Sequence, residues 1–158
     1  MTLQDVLRDM IDPALALLPE RMSSPAAKAM LLAIGLQESR FKHREQVKGP
    51  AKGYFQFEQG GGVRGVLSHP SSKAYAEEVC RARNVFPKER EVYLALAKDD
   101  ILAAAFARLL LWTDPQPLPT NADDAWKLYL RTWRPGKPHR HTWDAFYQQA
   151  QEAVHGMV

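Results

Sequence analysis

The chain has 158 residues, 46% of them apolar and 25% charged, with a formal net charge of +3. That length suits one domain with its own core, and those proportions exclude a disordered or fibrous polymer. A lone cysteine, Cys80, excludes an internal disulfide, and the small positive excess favours anionic polymers without choosing among them.

Thr2 followed by Asp5 predicts a capped first helix, which Pro13 interrupts or restarts. Asp5, Arg8, Asp9 and Asp12 break up the apolar residues there, so the segment reads as neither a secretory signal nor an anchor. No stretch approaches the ~18 consecutive apolar residues of a spanning helix. The expectation is a protein made in the cytoplasm, with no stable membrane insertion.

Ser24 before Pro25 is a strong start signal, and the helix it opens runs to about Ser39. Residues 42–72 change texture: Gly49, Gly53, Gly60, Gly61, Gly62, Gly65, Pro50 and Pro70 predict irregular backbone. Only 53–58, GYFQFE, has the pattern of a short strand. Helices are predicted at 72–84, 88–97 and 99–112, the last apolar nearly all round and therefore central. A proline-rich connector, a helix at 122–133, a turn at 133–138 and a closing helix at 142–154 complete the chain. The expected fold is all-α, or α-rich with a short irregular β element near 53–58, as a single domain over 1–158 with a substrate cleft.

Glu38 closes the Ser24 helix in line with Ile34 and Met30, on an apolar stripe. Desolvation there, and the helix C-terminus, both disfavour a charged carboxylate and raise its pKa. A carboxyl protonated near neutral pH can donate to a glycosidic oxygen. Pairing with Arg40, Lys42 or Arg44 at the surface is the competing reading of the same spacing.

Glu38-Ser39-Arg40-Phe41 resembles the Glu-Ser-x-Phe signature of the lytic transglycosylase and goose-type lysozyme superfamily. Gly53-Tyr54-Phe55-Gln56, after the small residues Gly49 to Ala51, resembles its second motif. Leu128-Tyr129-Leu130 is similar to its late Ala-Tyr-Asn element, with the tyrosine kept and the asparagine lost. The resemblance covers about 24–133 and is nearest to small phage endolysins and virion-associated peptidoglycan-degrading enzymes.

The resemblance implies a lysozyme-like domain whose one acid/base is Glu38, cutting the β-1,4 bond between N-acetylmuramic acid and N-acetylglucosamine. The glutamate protonates the linkage oxygen, then takes the proton of the muramic C6 hydroxyl as a 1,6-anhydro ring closes. Ser39, Tyr54, Gln56, Phe57, Glu58, Tyr129 and Trp133 form the expected substrate-contacting set. Gln56 can donate and accept, so it suits a sugar amide, the Glu38 carboxyl or a brace within its own loop. Core packing is the expected fate of at least two of Tyr54, Phe55 and Phe57. Tyr129 suits Glu38, a substrate acetamido group or a core place with a wet tip.

Glu45 and Glu58 lie in the loop that should border the cleft, and a second carboxylate would permit hydrolysis by water. The turn 133–138, with His139, Arg140, His141 and Trp143, is basic and aromatic; it suits either a glycan grip or a rigid connection between helices. His139 and His141 lack metal-ligand spacing, so neither a metal nor a cofactor is expected. Gly60-Gly61-Gly62 lacks a phosphate-loop ending and reads as a flexible cleft edge.

The expected partner is the peptidoglycan glycan strand, with a monomeric enzyme and no nucleic acid, because no predicted helix concentrates the positive charge. Such an enzyme reaches the wall through a separate membrane-permeabilising protein or is carried in a virion. A muramidase using water, and a non-catalytic wall-binding or virion structural protein, are the alternatives.

Overall fold

The computed structural model describes residues 1–46 and 48–156. Thr2 opens α1 (Leu3–Val6) with a reciprocal cap: its hydroxyl accepts from the Asp5 N–H, and the Asp5 carboxylate accepts from the Thr2 N–H. The helix widens into a π turn, Leu7–Ile11, and continues as α2 (Asp12–Ala16). Pro13 stands in the first turn of α2, where α geometry restarts after the π turn without a break in the helical path. Its ring would collide with a carbonyl four residues back in regular α geometry, and the π turn shifts that carbonyl aside.

Helix α3 (Pro25–Glu38) starts as its sequence predicts, with the Ser24 hydroxyl accepting from the Ala27 N–H at 3.0 Å. It is buried continuously from Ala29 to Leu36. Helix α7 (Asp100–Trp112) is likewise buried from Leu102 to Leu111. These two apolar rods are the centre of the molecule. α7 touches α2, α3 and most later helices, while α3 lies chiefly along α9 (Arg140–Val154). One polar group enters α7: Arg108, whose Nε donates to the Met22 carbonyl at 2.7 Å while its guanidinium covers the Trp112 ring.

The glycine-rich span departs from expectation twice. GYFQFE is not a strand: Gly53–Gln56 turns tightly, and Lys52 and Phe57 exchange both backbone hydrogen bonds at 2.9 Å. The β element shrinks to two isolated bridges, Glu45–Lys52 and Lys52–Phe57. Beyond it, the glycine triplet borders a cleft as expected, but within a π turn, Gln59–Val63, that leads into α4 (Arg64–Ser68). Packing overrides the poor helix propensity of glycine here. Val63 and Val66 are fully buried, and a Cβ on Gly62 would stand 2.9 Å from the Phe57 ring.

The remaining helices, α5 (Lys73–Ala82), α6 (Glu89–Leu96) and α8 (Ala122–Trp133), fall where periodicity puts them. α9 begins two residues before the predicted Thr142. The fold is all-α, around one connected core cluster. No described helix is long and apolar enough to cross a membrane.

Candidate active site

Glu38 is the last residue of α3, and the chain reverses immediately after it. Arg40 and Phe41 adopt left-handed backbone (φ 57° and 54°) without a glycine to ease the turn, a conformation that costs about 1–2 kcal/mol per residue. The Phe41 ring folds back onto Gly35, where a Cβ would lie 2.0 Å from its Cζ. Glycine at 35 is thus a requirement of the reversal. Phe41 then meets Tyr54 and Phe55 edge-on, at 5.7 and 6.0 Å between centroids.

Ser39 joins the two sequence motifs. Its hydroxyl donates to the Tyr54 carbonyl at 2.6 Å and accepts from the Phe41 N–H at 3.1 Å. Gln37 ties the same helix end to α9, donating to the His139 carbonyl at 3.0 Å and accepting from the Thr142 hydroxyl at 2.9 Å. The carboxyl is therefore mounted on backbone anchored from both sides.

Glu38 lines a cleft of about 580 Å³ with Ser39, Gln56, Glu58, Tyr129 and Trp133 among its neighbours. None of its carboxylate oxygens pairs with Arg40, Lys42 or Arg44 among the described residues; Arg44 instead grips Asp100 with two hydrogen bonds of 2.9 Å. Among the described residues the one side-chain partner of Glu38 is Tyr129, whose phenol donates to Oε2. Burial pushes the Glu38 pKa up to about 7, opposed by that hydrogen bond. Burial and the nearby carboxylate push the Tyr129 phenol far above its ordinary value, so it keeps its proton.

Tyr129 belongs to an aromatic stack. Its ring lies against Trp143 at 5.1 Å and Trp133 at 6.4 Å, and Trp126 at 5.4 Å covers another side. The Trp133 indole donates to the Phe55 carbonyl at 2.9 Å, and its ring meets Phe57 edge-on. The stack fixes both the phenol and the Gly53–Gln56 turn. Gln56, at φ 54°, donates its amide to the Gly53 carbonyl at 2.9 Å, so it braces its own turn while lining the cleft.

Packing corrects one expected substrate contact and moves another to a neighbouring wall. Tyr54 is buried under the Arg44 guanidinium, 4.7 Å from the ring centroid, and is not part of the cleft wall. Phe57 is 3% exposed and faces the core and an adjoining cleft. Phe55 is also buried, so all three aromatics of the motif brace the turn. Ser39 borders the cleft, but its hydroxyl is engaged by the protein.

Of the second carboxylates, Glu45 is held by Lys52 at 2.6 Å, whereas Glu58 is exposed on the cleft wall. Gln37, Arg40, Arg134 and Lys137 also line the cleft. Arg40 stands inside the first motif and Arg134 and Lys137 inside the basic turn, yet no spacing rule marks Gln37. Trp143 is fully buried and completes the core. Among the described residues no three His, Cys, Asp or Glu side chains converge to hold a metal ion. Comparison with protein-family models, curated proteins and solved structures yields no match.

Proposed function

We propose that the chain is a peptidoglycan lytic transglycosylase in which Glu38 acts first as acid and then as base. The observation that carries this reading is a desolvated carboxyl with a pKa of about 7, set in an open cleft and bonded to a buried phenol. Such a group is part protonated and part ionised at neutral pH, the condition for one residue to serve both steps. The resemblance of residues 38–41 and 53–56 to the superfamily motifs supports the same assignment.

In the first step Glu38 gives its proton to the linkage oxygen as the bond from muramic C1 to that oxygen breaks. In the second, the Glu38 carboxylate removes the C6 hydroxyl proton as O6 bonds to C1. The carboxyl is restored and no water is consumed. Tyr129 holds Oε2 and so orients the carboxyl for both transfers.

Glu58 favours a second reading, a muramidase, because it is an exposed carboxylate on the same cleft. Mass spectrometry of products released from purified sacculi separates the two. The expected product carries a 1,6-anhydromuramyl end, one water lighter than the hydrolysed end. Glu38→Gln should stop wall clearing while wall binding persists; clearing at an unchanged rate would remove Glu38 from the mechanism.

A further inference from the structure

The Glu38 cleft is one limb of a longer groove. A second cleft, of about 800 Å³, shares Gln56, Glu58, Trp133 and Arg134 with it. The two limbs differ in free charge. In the second limb Arg64 pairs with Glu89 at 2.6 Å and Arg131 with Asp114 at 2.8 Å, so both guanidiniums are already neutralised. Arg40 and Lys137 on the wall of the Glu38 limb, and Arg134 at its junction with the second limb, have no ion pair among the described residues.

The carboxylates of that limb do not cancel this excess. Glu45 is occupied by Lys52 at 2.6 Å, and Glu38 is only partly ionised near pH 7. Glu58, at the junction, is one negative charge against three positive ones. Concave walls of low dielectric strengthen such a field, and guanidinium forks match carboxylate geometry. Arg134 is set in left-handed backbone directly before Pro135, so the cationic turn has a restricted backbone rather than a free one.

We propose that the Glu38 limb binds the acidic stem peptide of the muramoyl residue, while the uncharged sugar run lies along the second limb. The inference rests on the transglycosylase reading and narrows its substrate to peptide-bearing strands. Three cations that form no ion pair among the described residues meet carboxylates of the substrate, and the strand is thereby given one direction through the groove.

The test uses the full-length Glu38→Gln protein, which binds without cutting, and two soluble glycan ligands of equal length. One carries its stem peptides; the other has been stripped of them by an amidase and the lactyl carboxylates this exposes have been capped as neutral methylamides. Peptide-bearing strands should bind about tenfold tighter at low salt, the combined effect expected of three exposed charge pairs. Substituting Arg40→Gln, Arg134→Gln and Lys137→Gln together, with folding checked by thermal unfolding, should lower their affinity to that of stripped strands.

Equal binding of the two ligands, a preference that survives the triple substitution, or no binding of either ligand would overturn the inference. So would displacement of the peptide-bearing strand by an oligonucleotide of equal charge at the same concentration, which would mark a general anion site. The parent reading fails separately, through the clearing assay with Glu38→Gln.

Discussion

The Tyr129 phenol donates to Oε2 of Glu38 across 91 positions of sequence, and among the described residues it is the one group that opposes burial in setting the acidity of that carboxyl. Burial alone would carry Glu38 beyond about 7; the hydrogen bond to the ionised form pulls it back. A buried carboxyl held near neutrality needs both influences.

Tyr129→Phe keeps the ring against Trp143 and removes the donor. The Glu38 pKa should then rise above about 7, and the alkaline limb of the kcat/KM profile should move to higher pH. The rate at the optimum should fall about 10- to 100-fold, the range expected for losing a hydrogen bond of ~1.5–3 kcal/mol to a charged group. A rate loss with the limb unmoved would reduce Tyr129 to packing alone.

Stability should carry the same signature. The folded pKa of Glu38 lies above its ordinary value of 4.5, so the folded state binds more protons than the unfolded chain between about 4.5 and 7. The carboxyl therefore costs nothing below pH 4, and its penalty grows as pH rises through that window and is complete above it. Glu38→Gln should leave stability near pH 4 almost unchanged and raise it by up to about 3 kcal/mol at pH 8, at 1.36 kcal/mol per pKa unit. Urea titrations of both proteins at the two pH values give the comparison; an equal difference at both would show that the carboxyl is not desolvated.

The helices were legible in sequence because they follow from short-range spacing; for the carboxyl the same spacing fitted surface pairing as well, and the resemblance of residues 38–41 and 53–56 singled it out. Ser24-Pro25 fixed the start of α3, and the stripe through Met30 and Ile34 put Glu38 at a desolvated end. Tyr129 was marked by its motif resemblance, with Glu38, a substrate acetamido group and the core all open to it, because its phenol meets Glu38 through tertiary packing that no local pattern encodes. The π turn at Gln59–Val63 was hidden by glycines whose low propensity is overridden by Val63, Val66 and the Phe57 ring. Core packing was the expected fate of at least two of Tyr54, Phe55 and Phe57; all three are buried, and which of them would be is a property of the whole fold.

Gly35 shows the same divide between local rule and tertiary demand, and it gives the sharpest mutational contrast. Replacing glycine by alanine inside a helix ordinarily stabilises by about 0.5–1 kcal/mol. At Gly35 the new methyl would stand 2.0 Å from Cζ of Phe41, whose ring closes the reversal after Glu38. Gly35→Ala should therefore destabilise, by about 1–3 kcal/mol as for other overpacked cores, and should impair activity by displacing the Ser39–Tyr54 link. Gly65→Ala in α4, where no atom lies within 4 Å of the added carbon, should follow the ordinary helical rule and stabilise. Combining Gly35→Ala with Phe41→Leu, which shortens the obstructing side chain, should cost less than the two single changes added together. Strict additivity in that cycle would mean that the ring and the glycine do not depend on each other.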